Sequence, residues 1–362
     1  FTWTFLYVFC GLLIIIFLFQ KKWHDVKRIG LALLGAGLIA IPYFLNMYRV
    51  LTHPNYAVVA QRFGLVGVHA PILGILAPLL FVVVLLFFPR KWKERYLFVL
   101  ALSAVPFIVL NQQVITGKAL SSVHYHWYFT WPLAIIFSVT VLLLWLSQKK
   151  WQILKRILPI SIILISISSG ILVQAGSYMF NEKGIVEKQR YGQVMDWLNQ
   201  NAQKEEVVFT DDETAGLIFI YTPLNVFYHF KASSCLAASQ ERLLNGLFLL
   251  YRLDGLEKEQ AQEFFFKDRK NISHSLYSMY YYFTTGDESG IPDGILLDLS
   301  QKYRDSFASP TADFVDNLFQ KYEVKYVVWD KRSNPKWQFD QYLFLEKAVE
   351  IDDFVIYRYA NF

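Results

Sequence analysis

Residues 157–178 read ILPISIILISISSGILVQAGSY, and residues 179–190 continue MFNEKGIVEKQR. The first stretch carries no charge at all. The second carries Glu182, Lys183, Glu187, Lys188 and Arg190. A helix needs roughly 20 mostly apolar residues to cross the hydrocarbon core of a bilayer. Over such a length in lipid only a helix satisfies its own backbone polar groups. The junction near 179 therefore separates membrane-type chain from chain of mixed charge.

The halves on either side differ as that reading requires. Residues 1–179 hold fifteen Lys/Arg but only two acids, Asp25 and Glu94, whereas residues 180–362 hold twenty Lys/Arg and twenty-eight Asp/Glu. The halves are thus about +13 and −8, and the overall +5 describes neither. The mean hydropathy of +0.30 is likewise an average over two kinds of chain. Such asymmetry predicts a helical membrane region over 1–179 and a water-soluble domain over 180–362. Nothing in the pattern marks a nucleic-acid partner, because the basic residues fall in short loops between apolar runs.

Five further stretches resemble 157–178: about 1–19, 29–48, 70–88, 96–112 and 128–147. The expectation is six transmembrane helices. Alternate loops gather the cations: Lys21, Lys22, Lys27 and Arg28; then Arg90, Lys91, Lys93 and Arg95; then Lys149, Lys150, Lys155 and Arg156. The two intervening loops hold only Arg49, Arg62 and Lys118. Twelve against three predicts that the basic loops face the cytoplasm, with Trp23, Trp92 and Trp151 as interface anchors. The 49–69 and 113–127 loops and all of 180–362 then lie on the extracytoplasmic side. The chain opens at Phe1 inside an apolar run, with Lys21 and Lys22 after it, which predicts further sequence upstream.

Within 180–362 the pattern predicts a helix at 189–203, a short strand at 207–210 closed by an acidic turn at Asp211-Asp212-Glu213, and helices at 239–253 and 256–266. A helix at 313–322 and strands at 324–329 and 353–359 complete a small α/β domain whose strand order the sequence does not give. No hydrolase, zinc-protease or phosphate-loop motif occurs. Asn271-Ile272-Ser273 matches a glycosylation sequon. Cys10 and Cys235 fall in different halves, which argues against a disulfide, and neither has metal-ligand spacing.

Polar side chains of the membrane half collect on its outer side. One loop carries His53, Asn55, Tyr56, Gln61, Arg62 and His69. The other runs Asn111-Gln112-Gln113-Val114-Ile115-Thr116-Gly117-Lys118, followed by His124-Tyr125-His126-Trp127-Tyr128. Amides, imidazoles and hydroxyls suit sugar hydroxyls, and Lys118 can meet a phosphate as a point charge. The substrate-binding candidates are therefore His53, Arg62, Asn111, Gln112, Gln113, Thr116, Lys118, His124, Tyr125 and His126. The bland alternative is that the amides cap a helix end and that Trp127 and Tyr128 are ordinary belt aromatics. His124 and His126, two apart on an extended segment, point to opposite sides and make a poor zinc pair. Neither outer loop nor any span contains Asp or Glu, which disfavours a proton-coupled transporter and removes the usual general base.

The Asn111–Lys118 segment with the following His-Tyr-His-Trp-Tyr resembles a motif of bacterial polytopic glycosyltransferases of the GT-C type. Trp197-Leu198-Asn199 before Val207-Val208-Phe209-Thr210 resembles the helix-to-strand passage of their outward domains. Tyr326-Val327-Val328-Trp329-Asp330 and Phe354-Val355-Ile356-Tyr357-Arg358 resemble the closing strands. The resemblance implies transfer of a sugar from a polyprenyl-phosphate carrier to a lipid, glycan or protein acceptor at the outer face of the membrane. It leaves a place for a divalent cation, for which this chain offers no ligand set. The family's catalytic Asp stands in its first outer loop. No residue here matches it, so no catalytic residue is assigned and the carboxylate is expected upstream of Phe1. The competing expectation is a non-catalytic membrane protein displaying a binding or assembly domain, with an exposed apolar patch such as 277–283.

Overall fold

The computed structural model describes residues 2–63, 67, 69–72, 74–118, 122–148, 151–234, 238–287 and 289–360. Lys149, Lys150 and Cys235 lie outside them. The chain forms two compact units: Phe1–His53 with Gly64–Ser177, and Pro54–Phe63 with Tyr178–Phe362. The strip Pro54–Phe63 thus belongs with the C-terminal unit, although in sequence it falls inside 1–179.

The first unit is helical. Four described helical stretches are long and apolar enough to cross a membrane: Thr2–Phe19, Arg90–Thr116, His126–Ser147 and the one that starts at Gln152. A fifth is added if Trp23–Ile39 and Ile41–Leu51, bent by 59°, count as one span. The bend has a cause in the sequence. Pro42 sits in the first turn of the second helix, where its ring opposes the carbonyl of Leu38 and it has no N–H to give. The expected helix at 70–88 is realised only as Leu76–Phe87. Its 12 residues rise about 18 Å, short of the ~30 Å hydrocarbon core. Pro71 and Gly74 precede it in non-helical chain, so among the described residues this stretch is shorter than the span expected there.

These helices pack through narrow seams. Thr2–Phe19 and Leu76–Phe87 both lie on Lys93–Leu110, with Phe5, Ala77, Val105, Val109 and Tyr125 buried between them. Leu80, Val84, Phe88, Ala134 and Phe137 join Leu76–Phe87 to Trp131–Ser147. Away from the seams apolar side chains stay uncovered, as at Leu31, Leu34, Leu38 and Ile39. The last helix of this unit, Gln152–Lys188, has 37 residues and runs past the division at 177/178.

The second unit is built on a five-stranded mixed sheet. Its strands are β1 (Val207–Phe209), β2 (Asn225–Val226), β3 (Val324–Asp330), β4 (Leu345–Ile351) and β5 (Phe354–Tyr359), in the order β2-β1-β3-β5-β4. β1 is parallel to β2 and β3, whereas β5 is antiparallel to β3 and β4. Alternation along β3 separates two cores. Tyr326 and Val328 face Val194, Leu198 and Ile218 of the helices Gly192–Asn201 and Asp212–Tyr221. Val327 and Trp329 join Phe209, Leu243, Leu299 and Phe319, among helices that include Gln240–Leu253, Asp293–Asp305 and Thr311–Lys321.

Local chemistry explains where elements begin and end. The acidic turn at 211–213 is the start of a helix: Asp211 accepts from the backbone N–H of Glu213 and Thr214, both at 3.0 Å, as an N-cap. Ser239 caps Gln240–Leu253 in the same way through Arg242 N. The helix expected at 256–266 is confined to Ala261–Lys267. Gly255, with φ +79°, ends the preceding helix and keeps the two apart.

Candidate functional site

The polar segment 111–118 of the first unit is a closed turn. Lys93–Leu110 ends at Asn111, whose Nδ2 donates to Phe107 O at 2.9 Å while its Oδ1 accepts from Ile72 N at 2.9 Å. Gln113 is buried and donates to Ala70 O at 3.1 Å. These two amides tie 69–72 to the helix end. Gln112 then closes the turn itself. Its Nε2 donates to Lys118 O at 2.6 Å, its Oε1 accepts from the Thr116 hydroxyl at 2.7 Å, and Thr116 Oγ1 accepts from Lys118 N at 3.2 Å.

Gly117 is required here. Its φ is +67°, and a Cβ would stand 3.0 Å from the His69 ring. That ring holds Val114 O at 3.2 Å through Nδ1, a contact that needs the proton on Nδ1. The amides and Thr116 are thus spent largely on the turn's own geometry. Lys118 is exposed, and among the described residues its ammonium has no ion pair or hydrogen bond.

The aromatic part follows as helix Ser122–Tyr125, a π-helical turn His126–Thr130 and helix Trp131–Ser147. The extended segment expected around His124–His126 is therefore helical. The Thr130 hydroxyl donates to Tyr125 O at 3.3 Å across this π turn, a distortion often found at functional sites. Tyr125 is buried against Phe5 and Val109, which makes it a packing residue of the seam. His126 Nε2 accepts from Trp131 Nε1 at 2.7 Å. His124 stacks beside Tyr128, and Trp127 lies on Trp131 with planes 15° apart. Trp127 and Tyr128 remain exposed.

Two sequence candidates lie elsewhere. His53 is exposed at the end of the bent helix pair, and that second helix packs chiefly on Trp23–Ile39. Arg62 belongs to the other unit. Its guanidinium is buried, donating to Ser233 O and Ala238 O at 3.3 Å and to Gln240 Oε1 at 2.7 Å. Burial lowers its pKa, with Tyr277 acting in the opposite sense. Arg62 thus closes the loop before Gln240–Leu253 and is committed to backbone carbonyls.

Sequence reasoning missed a second polar cluster, at the carboxyl ends of the parallel strands. Ligands of α/β sheets commonly sit at such a place, where the chain order reverses about one strand. Here β1 leads to β2 on one side and neighbours β3 on the other. Asp330, at the end of β3, is fully buried and ion-paired with Arg190. It also accepts from Ser333 Oγ at 2.7 Å and from the N–H of Arg332 and Ser333. Burial alone would raise its pKa, but these donors outweigh it and hold the carboxyl below the usual range. Burial pushes the neighbouring Tyr191 phenol up to about 12.

At the end of β1, Asp212 accepts from Phe230 N at 2.9 Å. Its pKa is raised by burial, against the pull of that N–H and of His229. His229 is lowered by burial, with Asp212 opposing. The signal that pointed here was the Asp-Asp-Glu run after a buried strand. The Arg190–Asp330 pair, 140 residues apart, left no local trace.

Comparison with family models, curated proteins and solved structures finds no match to this chain. Among the described residues no group of three or more His, Cys, Asp or Glu is arranged to hold a metal ion.

Proposed function

We propose that the chain is part of a GT-C type membrane glycosyltransferase, which moves a sugar from a polyprenyl-phosphate carrier to a lipid, glycan or protein acceptor at the outer face of the cytoplasmic membrane. The observation that carries this reading is the Lys118 turn. An ammonium without a described partner stands on a backbone loop fixed by Gln112, Thr116, Gly117 and His69. Such an exposed cation is available to a phosphate oxygen. The neighbouring exposed aromatics Trp127 and Tyr128 suit a level where apolar tail meets polar head.

Sidedness has support of its own. The strip Pro54–Phe63 lies between apolar helices of the first unit, yet it packs with the C-terminal unit. A loop and a domain that share a core share a side of the membrane. The scarcity of cations in that loop argues for the outer side. A carboxylate base for the acceptor is not among the residues of the turn.

The test uses the full-length protein and a polyprenyl-phosphate sugar. Lys118→Ala removes a charge-assisted contact worth about 1.5–3 kcal/mol and lowers transfer roughly 10- to 100-fold. His124→Ala reports whether the aromatic segment takes part. Unchanged transfer in both variants removes this surface from the mechanism.

One observation favours the second reading, a non-catalytic protein that displays its C-terminal unit to a partner. Phe219, Ile220 and Tyr221 are 72%, 68% and 63% exposed at the end of one helix. The 277–283 run, by contrast, is mostly packed: Tyr281 is buried and Tyr277 and Tyr280 lie against the same core. A pull-down that depends on Phe219 and Ile220, in a protein with no transfer activity, would decide for that reading.

A further inference from the structure

The only two carboxylates of residues 1–179, Asp25 and Glu94, line one cavity. It measures about 670 Å³ and opens at the basic ends of Thr2–Phe19, Trp23–Ile39 and Lys93–Leu110. Its walls divide by chemistry. Leu13, Ile16, Phe17, Phe88, Leu97 and Phe98 form an apolar trough, and Gln20, Lys22, Asp25, Arg28, Glu94 and Arg95 form the rim.

The rim has charges of both signs left over. Glu94 is ion-paired with Lys22, which leaves Asp25, Arg28 and Arg95. Among the described residues Asp25 and Arg28 have no side-chain hydrogen bond or ion pair, and Arg95 only flanks the Trp92 ring at 5.9 Å. Gln20 Oε1 is buried and accepts no hydrogen bond. A buried acceptor left empty is costly, so such an atom marks a place for a donor.

From this we infer that the cavity is a binding site for one aminophospholipid, with the acyl chain in the trough and the zwitterionic head on the rim. The phosphate meets Arg28 and Arg95. The primary ammonium donates to Asp25 and to Gln20 Oε1. Basic pockets between membrane helices at this level commonly hold lipid phosphates, but an anionic head without an amine would leave Asp25 without a countercharge. A quaternary choline head has no N–H for Gln20. The rim therefore selects a head with both a phosphate and a primary amine. This inference rests on the membrane reading of the helices and is independent of any sugar transfer.

The experiment is native mass spectrometry of the full chain released from nanodiscs containing equal amounts of phosphatidylethanolamine, phosphatidylglycerol and phosphatidylcholine. One phosphatidylethanolamine is expected to stay bound at a collision energy that strips the other two. Asp25→Asn, which keeps the shape of the side chain, is expected to reduce that retention at least about 10-fold, the loss of one charge-assisted contact. Arg28→Ala is expected to reduce it similarly. Melting of the wild-type protein should rise on adding phosphatidylethanolamine, and melting of Asp25→Asn should not, which separates lost binding from lost folding. Equal retention of the three lipids, no retained lipid, or unchanged retention in both variants overturns the assignment.

Discussion

Leu34 and Leu243 are both leucines within helices, yet Leu34 is 60% exposed and Leu243 is 1% exposed. The difference runs through the two units. In the first, contacts are confined to seams and much of the remaining helix surface is apolar, a pattern suited to a hydrocarbon solvent. In the second, helices on both sides of the sheet bury apolar residues in two cores, as Leu243, Leu299, Phe319, Val194 and Ile218 do. Side-chain N-caps follow the same division. Among the described helix starts they occur at Asp211 and Ser239 of the second unit, where loops are polar enough to supply them.

The comparison breaks first, and most visibly, at Arg190 and Asp330. Arg190→Ala leaves a fully buried carboxylate uncompensated and should cost about 3–5 kcal/mol in the C-terminal unit, read as a lowered midpoint in denaturant. The pair also sets an acid limb. Because the Asp330 carboxyl is held below its ordinary value when folded, its contribution is complete above the ordinary pKa of about 3.9. It fades as pH falls from there through the folded value. Asp330→Asn should lack that slope, and an unaltered acid profile in the variant would dissociate the pair from stability.

The leucines come next. Leu243→Ala should cost about 2–5 kcal/mol, because the site is packed from all sides. Leu34→Ala in detergent should stay within about 0.5 kcal/mol, as surface changes do. Equal effects of the two, measured by melting of the same preparation, would mean that the first unit has a buried core at Leu34 after all. Smallest among the changes in the second unit is Asp211→Ala. It removes a cap worth about 1 kcal/mol, and local hydrogen exchange at Glu213 and Thr214 should report it before global unfolding does.

What the sequence made legible follows from how local the signal was. Strands β1, β3 and β5 are dense in Val, Ile and aromatic residues and could be read. β4 could not, because LEKAVEI places Glu346, Lys347 and Glu350 on an exposed edge and dilutes the alternation. β2 has two residues and no pattern at all. The start of Asp212–Tyr221 was visible as Asp before Glu and Thr, a capping signal mistaken for a turn. Apolar length marked the membrane-type stretches, but not the bend at Ala40 or the shortness of Leu76–Phe87, which depend on where Pro42, Pro71 and Gly74 fall. Of the candidate site, the composition of 111–128 was legible and its bonding was not: that Gln112 reaches Lys118 O, or that Arg62 reaches Ser233, depends on three-dimensional closure.

The strip Pro54–Phe63 has a consequence for how this protein is made and handled. Arg62 finds its carbonyl and amide partners 171 to 178 positions further along the chain. During synthesis the strip emerges long before them, and long-range closures of this kind are slow to form. Anyone excising 178–362 as a free-standing fragment would discard a tile of its mosaic, and the carbonyls of Ser233 and Ala238 would meet water where a guanidinium belongs. Grafting those ten residues back through a linker restores the missing tile.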